Sequence, residues 1–198
     1  MKRTRRRLAT TSLIAGALLT LGAVAYAADE QSTEESTGPE PVVAWLGVEL
    51  TDIRTGDTFT LAQFADKPIL LETFAVWCPT CTSQQRQLAA LHEEVGDAVI
   101  SVTINTDPNE TQSQVVRHLD RHGFDWLFAV SPVELSRSLR DEFGVAVLNP
   151  PSAPVILICP GQTERTLLSK RGVKRPDFLQ EQIAACPAVE GGSDAGSA

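Results

Sequence analysis

Cys78 and Cys81 lie with two residues between them in "TFAVWCPTCTSQQ" (73–85), directly behind Trp77. Two thiols at that spacing on the first turn of a helix can come within bonding reach, so the pair can pass between dithiol and disulfide. The segments around them support that placement. "PILLETFAVW" (68–77) is a mostly apolar run of strand length, as in a strand buried on both faces. "CPTCTSQQRQLAALHEEVG" then changes to helical spacing, with Leu88 and Leu91 three apart and Gly96 as a stop. Cys78 therefore falls at the mouth of a helix, where unpaired N–H groups and the positive dipole end favour an anion, here a thiolate. Pro79 takes the first helical position, where its missing N–H costs nothing and its fixed φ helps start the helix. This pattern predicts Cys78 as an exposed nucleophile and Cys81, one turn deeper, as the resolving thiol.

Other uses of these thiols fit less well. A structural zinc site needs four ligands, and Cys159 and Cys186, 27 residues apart, belong to other elements. His118 and His122 have a metal-ligand spacing, but "RHLDRH" is polar and supplies no third ligand, so it reads as a solvated helix face. His92 lies about three turns past Cys81, too far to act as its base. No metal site and no cofactor are called for. The rival reading is an extracytoplasmic module that holds copper through Cys78 and Cys81, since soft thiolates suit Cu(I).

Beyond this segment, "AWLGVELTDIRTGDTFTLAQF" predicts two short strands around "RTGD" and a brief helical step. "AVISVTI" (98–104) is a second buried strand, followed by helix "TQSQVVRHLDRHG", strand "DWLFAV" and helix "PVELSRSLRDEFG". Strand "PVILIC" (154–159), a turn at "PGQ", strand "ERTLLSK" and helix "PDFLQEQIAAC" complete an α/β sheet of mixed direction.

The chain ends bound the cellular setting. "MKRTRRR" precedes "LATTSLIAGALLTLGAVAYA", which carries no charge and closes on Ala25-Tyr26-Ala27. Residues 1–27 thus predict an export signal, or a retained membrane anchor, since roughly 20 apolar residues span a bilayer. Residues 4–8 partly match a twin-arginine signal. The positive-inside rule then puts the rest of the chain outside the cytoplasm, secreted or tethered. An acidic linker (28–41), a single domain (42–188) and a Gly/Ser-rich tail (189–198) follow. Without residues 1–27, 12 basic residues face 25 acidic ones, a formal charge of −13, which argues against nucleic acid as a partner. Export makes disulfides chemically permissible for the four cysteines.

"VWCPTC" resembles the active site of thioredoxin-fold proteins. The layout around it is similar to the exported TlpA/ResA-like thiol–disulfide oxidoreductases, in which a β-hairpin precedes the active-site strand and a helix–strand pair is inserted centrally. "GVELTDIRTGDTFTLAQFADKPILLETFAVWCPTC" fits the first feature and 98–143 the second. The resemblance spans roughly residues 45–186. It implies a thioredoxin-like fold and thiol–disulfide exchange with exported protein thiols or disulfides. It also implies an unidentified membrane or soluble redox partner. Position by position, it implies a cis bond before Pro154, with Pro151 as the alternative. Ala153 would offer its backbone to an extended substrate, and Trp77 and Pro79 would flank the same substrate. Glu72, six residues before Cys78, occupies the place of a buried acid that could shuttle the proton of Cys81. In that topology Cys159 and Cys186 meet at the pole opposite "CPTC", as a structural disulfide or as two free core cysteines. Related copper chaperones space their cysteines further apart and add a histidine, and neither feature is present here. The Pro-Thr pair between the cysteines leaves the direction of exchange open.

Overall fold

The apolar run before the cysteines forms the central strand of the sheet. The computed structural model describes residues 43–168 and 171–188; the signal or anchor, the linker and the tail lie outside them. A 3-10 turn at Ala44–Gly47 leads into a small hairpin, β1 (Leu50–Thr51) with β2 (Thr58–Phe59). In that turn Trp45 and Leu46 wind inward and are buried. A helical step at Leu61–Phe64 precedes β3 (Ile69–Phe74), all six residues of which are buried. Helix α1 (Pro79–Val95), β4 (Ile100–Asn105), α2 (Gln112–His122), β5 (Leu127–Val130) and α3 (Val133–Phe143) follow. Strand β6 (Val155–Ile158), β7 (Arg165–Leu167) and α4 (Pro176–Ala184) complete the order.

The five-stranded sheet runs β5-β4-β3-β6-β7. β3 pairs parallel with β4 and antiparallel with β6, so the sheet is mixed. This is an α/β thioredoxin-like fold with the N-terminal hairpin and central insertion that the resemblance implied. The hairpin docks on the sheet through Ile53 N–H, which donates to Phe128 O at 2.8 Å.

Alternation along β3 divides the core. Ile69 and Leu71 point into a cluster with Trp45, Leu46, Val102, Ile104, Leu135 and Leu139, where α3 packs. Leu70 and Phe74 face the opposite side, among residues of α1, α2 and α4. Glu72 shares that second face, so a carboxyl is carried into the interior by the strand that presents the cysteines. Among the described residues, no helix is long and apolar enough to cross a membrane.

Candidate active site

The chain leaves β3 at Phe74, and Cys78 caps α1. Its Sγ accepts the Cys81 N–H at 3.2 Å, and Pro79 takes the first turn. The Cys81 thiol donates to Pro150 O at 3.2 Å. Burial above all, then its bond with Cys78 and the charge of Glu72, pushes the Cys81 thiol well above its ordinary pKa. Both thiols are reduced. Cys78 is not the exposed group expected: only 1% of its surface is accessible. Its side chain joins a cluster with Phe74, Ala75, Cys81 and Val115, because the turn out of β3 folds inward before the helix begins. Trp77 is the exposed residue, at 56%.

A loop after β4 holds that turn. The Glu110 carboxylate accepts from Val76 N–H at 2.8 Å, from Trp77 N–H at 3.2 Å and from the Asn105 amide at 2.5 Å. The Trp77 indole donates to Asp107 Oδ2 at 2.6 Å. Donation by Asn109 N–H and by this indole holds the Asp107 carboxyl below its usual range.

Glu72 is fully buried. Its Oε2 accepts from the Thr103 hydroxyl at 3.2 Å, directly across the β3–β4 ladder. Burial pushes its pKa up to about 8, against the opposing pull of Thr103, Gln85 and Lys174. The carboxyl thus retains its proton into the neutral range and sits close enough to act electrostatically on Cys81.

The segment opposite the cysteines departs from expectation. Among the described residues there are no cis peptide bonds, so the cis bonds considered at Pro154 and Pro151 are both absent. A 3-10 turn at Pro150–Ser152 followed by left-handed Ala153 (φ 46°, ψ 60°) turns the chain into β6 instead. Nor is the Ala153 backbone open to a substrate. Its N–H donates to Pro150 O at 2.7 Å, and its carbonyl accepts from Lys174 Nζ at 2.5 Å. Lys174, almost fully buried, also donates to Gly172 O at 3.0 Å, while Gln84 pairs with both polar backbone groups of Lys174.

His118 corrects the reading of α2 as a solvated face. Only 3% exposed, it packs against Phe74 and Phe124 and bonds Gln85 Oε1 at 2.7 Å. Its position, three past Val115 and one before Leu119, puts it on the apolar stripe. Gln84 and Gln85 share the buried face of α1 with Cys81 and Leu88, a spacing that could have flagged them. Glu110 and Lys174 had no such signal, since each lies in a polar loop. Among the described residues, no three His, Cys, Asp or Glu side chains converge as a metal site.

The family model described as Redoxin matches residues 42–160. The chain belongs to the Redoxin family. It is a thioredoxin-like thiol–disulfide oxidoreductase, with its dithiol on the first turn of α1. No curated protein matches this Redoxin chain. Its fold is similar to a thiol:disulfide interchange protein of the thioredoxin family from Chlorobium tepidum, with TM-score 0.59 at 16% identity, covering 70% of this chain and 92% of that one. It is also similar to a secreted Mycobacterium tuberculosis disulfide oxidoreductase described as homologous to E. coli DsbE. There the TM-score is 0.53 at 19% identity, over 72% of this chain and 98% of that one. A third similar structure is that of MTB dsbF, with TM-score 0.55 at 16% identity, covering 73% and 98%. At these identities the likeness is one of fold. Cys159 and Cys186 are bonded, with Cα atoms 5.5 Å apart. The β3–β6 register, Ile69 opposite Ile158, sets Cys159 beside the start of β3, away from the cysteines that follow its end.

Proposed function

We propose that this Redoxin exchanges its Cys78–Cys81 dithiol with disulfides of exported proteins, through a mixed disulfide at Cys78. The observation that carries this is the stacking of three groups: Cys78 Sγ at the helix cap, Cys81 one turn below, and the buried Glu72 carboxyl acting on Cys81. The Cys78 thiolate attacks one sulfur of the substrate disulfide, forming the Cys78–substrate bond and releasing the other substrate sulfur as thiolate. Cys81 gives its proton to Glu72, in the minor fraction of molecules whose carboxyl is ionised at neutral pH, and attacks Cys78 Sγ, expelling the second substrate thiolate. The substrate gains two electrons, and the Cys78–Cys81 disulfide is left for a dithiol partner to reduce.

Trp77 and Pro79 are exposed on the rim of the cysteine turn and form the docking edge for the substrate. A cleft lined by Asp107, Glu110, Val130 and Val133 adjoins them. Export is directed by residues 1–27, as a cleaved signal or an anchor, with 28–41 as tether and 42–188 as the working domain. A secreted protein of similar fold supports that location.

Trapping tests the reading. Cys81→Ser mixed with a disulfide-bonded protein should accumulate a covalent adduct through Cys78 that thiols release, whereas Cys78→Ser should form none. Adducts of equal yield in both variants, or in neither, would overturn the assignment.

A further inference from the structure

Among the described residues, three buried side-chain polar atoms lack a hydrogen-bond partner: Glu72 Oε1, Gln85 Nε2 and Asn105 Oδ1. Two of them make a matched pair, one an amide donor and the other a carboxyl acceptor. Leaving both unmade in the interior would cost more than either bond is worth. We propose that His118 is a positioning residue for Glu72: it fixes the Gln85 amide so that Gln85 Nε2 donates to Glu72 Oε1. The inference rests on the proposed proton-shuttling role of Glu72.

The geometry restricts the roles. Gln85 Oε1 can only accept, so His118 Nε2, 2.7 Å away, must carry the proton. With its oxygen held by His118, the amide cannot turn over, and its nitrogen is the end left for the carboxyl. The imidazole is itself fixed by Phe74, Phe124 and His122, with ring centroids 5.6, 5.8 and 4.8 Å away.

The charges around this chain of contacts agree with it. Burial first, then His122, Arg121 and, from α1, Arg86, lowers the His118 pKa to about 4. The ring is therefore neutral near neutral pH, with a single proton to give. The charged or titratable groups acting on Glu72 are Lys174 and Cys81; Phe74 and Phe124 contribute none. Donation by Gln85 favours the ionised carboxylate, the form that accepts the proton of Cys81.

Carboxyl-carbon NMR of glutamate-labelled, reduced full-length protein tests the proposal, with Glu72→Gln assigning the resonance. Gln85→Leu should raise the Glu72 midpoint by about one pH unit, the worth of one hydrogen bond to a charged group. His118→Phe should raise it in the same direction. His118→Gln, whose amide nitrogen can stand where Nε2 stands, should bring it back toward wild type. An unchanged midpoint in Gln85→Leu, or equal midpoints in His118→Phe and His118→Gln, would overturn the proposal. Imidazole nitrogen shifts of the wild type give a reading that needs no variant to fold: a proton on Nε2 supports the arrangement, and one on Nδ1 alone refutes it. Disulfide turnover by Glu72→Gln reads the underlying role of Glu72 separately. Wild-type turnover there would remove that role, while the titrations would still decide whether His118 positions the carboxyl.

Discussion

Glu72 and Thr103 stand opposite each other on parallel strands, and the Thr103 hydroxyl donates to Glu72 Oε2 at 3.2 Å. The same hydroxyl accepts from the Trp126 indole at 3.0 Å. A hydroxyl has one proton, and with the indole occupying a lone pair that proton is directed at the carboxyl. Thr103 therefore favours the ionised form of Glu72, against the burial that disfavours it.

Removing that hydroxyl should leave two orphans. Thr103→Val should raise the Glu72 midpoint by about one pH unit, and it should cost about 1–3 kcal/mol of stability from the unpaired indole and carboxyl. Thr103→Ser should restore both. Carboxyl-carbon NMR and urea denaturation measure the two effects, and a midpoint that does not move would show the hydroxyl to be irrelevant to Glu72.

Burial of Glu72 also predicts how stability depends on pH. Its folded pKa of about 8 lies above the ordinary 4.5, so the native state holds the proton more tightly than the unfolded chain. The contribution of Glu72 to stability therefore falls as pH rises between those two values, and the cost is complete above the upper one. It amounts to a few kcal/mol. Relative to wild type, Glu72→Gln should gain stability at about pH 8.5 and gain little at about pH 5. The check is urea unfolding of the reduced protein at both values; an equal difference at the two would count against a raised Glu72 pKa.

The sheet, the hairpin and the cysteine helix were legible because each rests on local periodicity and turn chemistry. β3 is an unbroken apolar run apart from Glu72 and Thr73, and α1 repeats its buried positions at helical spacing. Glu72 could be placed because the family resemblance puts a buried acid six residues before Cys78, within a strand whose apolar neighbours imply burial. What surrounds it could not. Gln85 and His118 look polar and solvated in isolation, and only the packing of α2 against α1 brings them together in the interior. Lys174 lies 22 residues past Ser152, and no pattern pairs a loop lysine with distant carbonyls. The loop before β6 misled for a related reason. The family resemblance implied a cis bond before Pro154, whereas in "NPPSAPV" a 3-10 turn and the left-handed Ala153 turn the chain into β6.

Glu110 offers a test of access to Cys78. Its carboxylate holds both Val76 N–H and Trp77 N–H, so the turn that covers Cys78 is fixed from the neighbouring loop. Glu110→Ala should lower stability by about 2 kcal/mol, since hydrogen bonds to a charged group are lost. It should also speed alkylation of Cys78 by iodoacetamide several-fold, measured by mass spectrometry on reduced protein. Slower or unchanged alkylation in a folded variant would show that Glu110 does not gate the thiol.

The second cysteine pair should affect stability and leave the redox chemistry alone. Cys159 and Cys186 close a loop across 27 residues, a constraint worth roughly 3–4 kcal/mol through the unfolded chain. Replacing both with Ala should lower stability by about that amount. The reduction potential of Cys78–Cys81, followed by Trp77 fluorescence in defined thiol–disulfide buffers, should not change. The reason is position: Cys159 lies beside Ile69 at the start of β3, and the active cysteines follow Phe74 at its other end, on the order of 20 Å along the strand. Loss of the distal disulfide should therefore act through global stability alone. A shifted potential in a variant that remains folded would mean that the two ends of β3 communicate, and the disulfide would then be part of the redox mechanism.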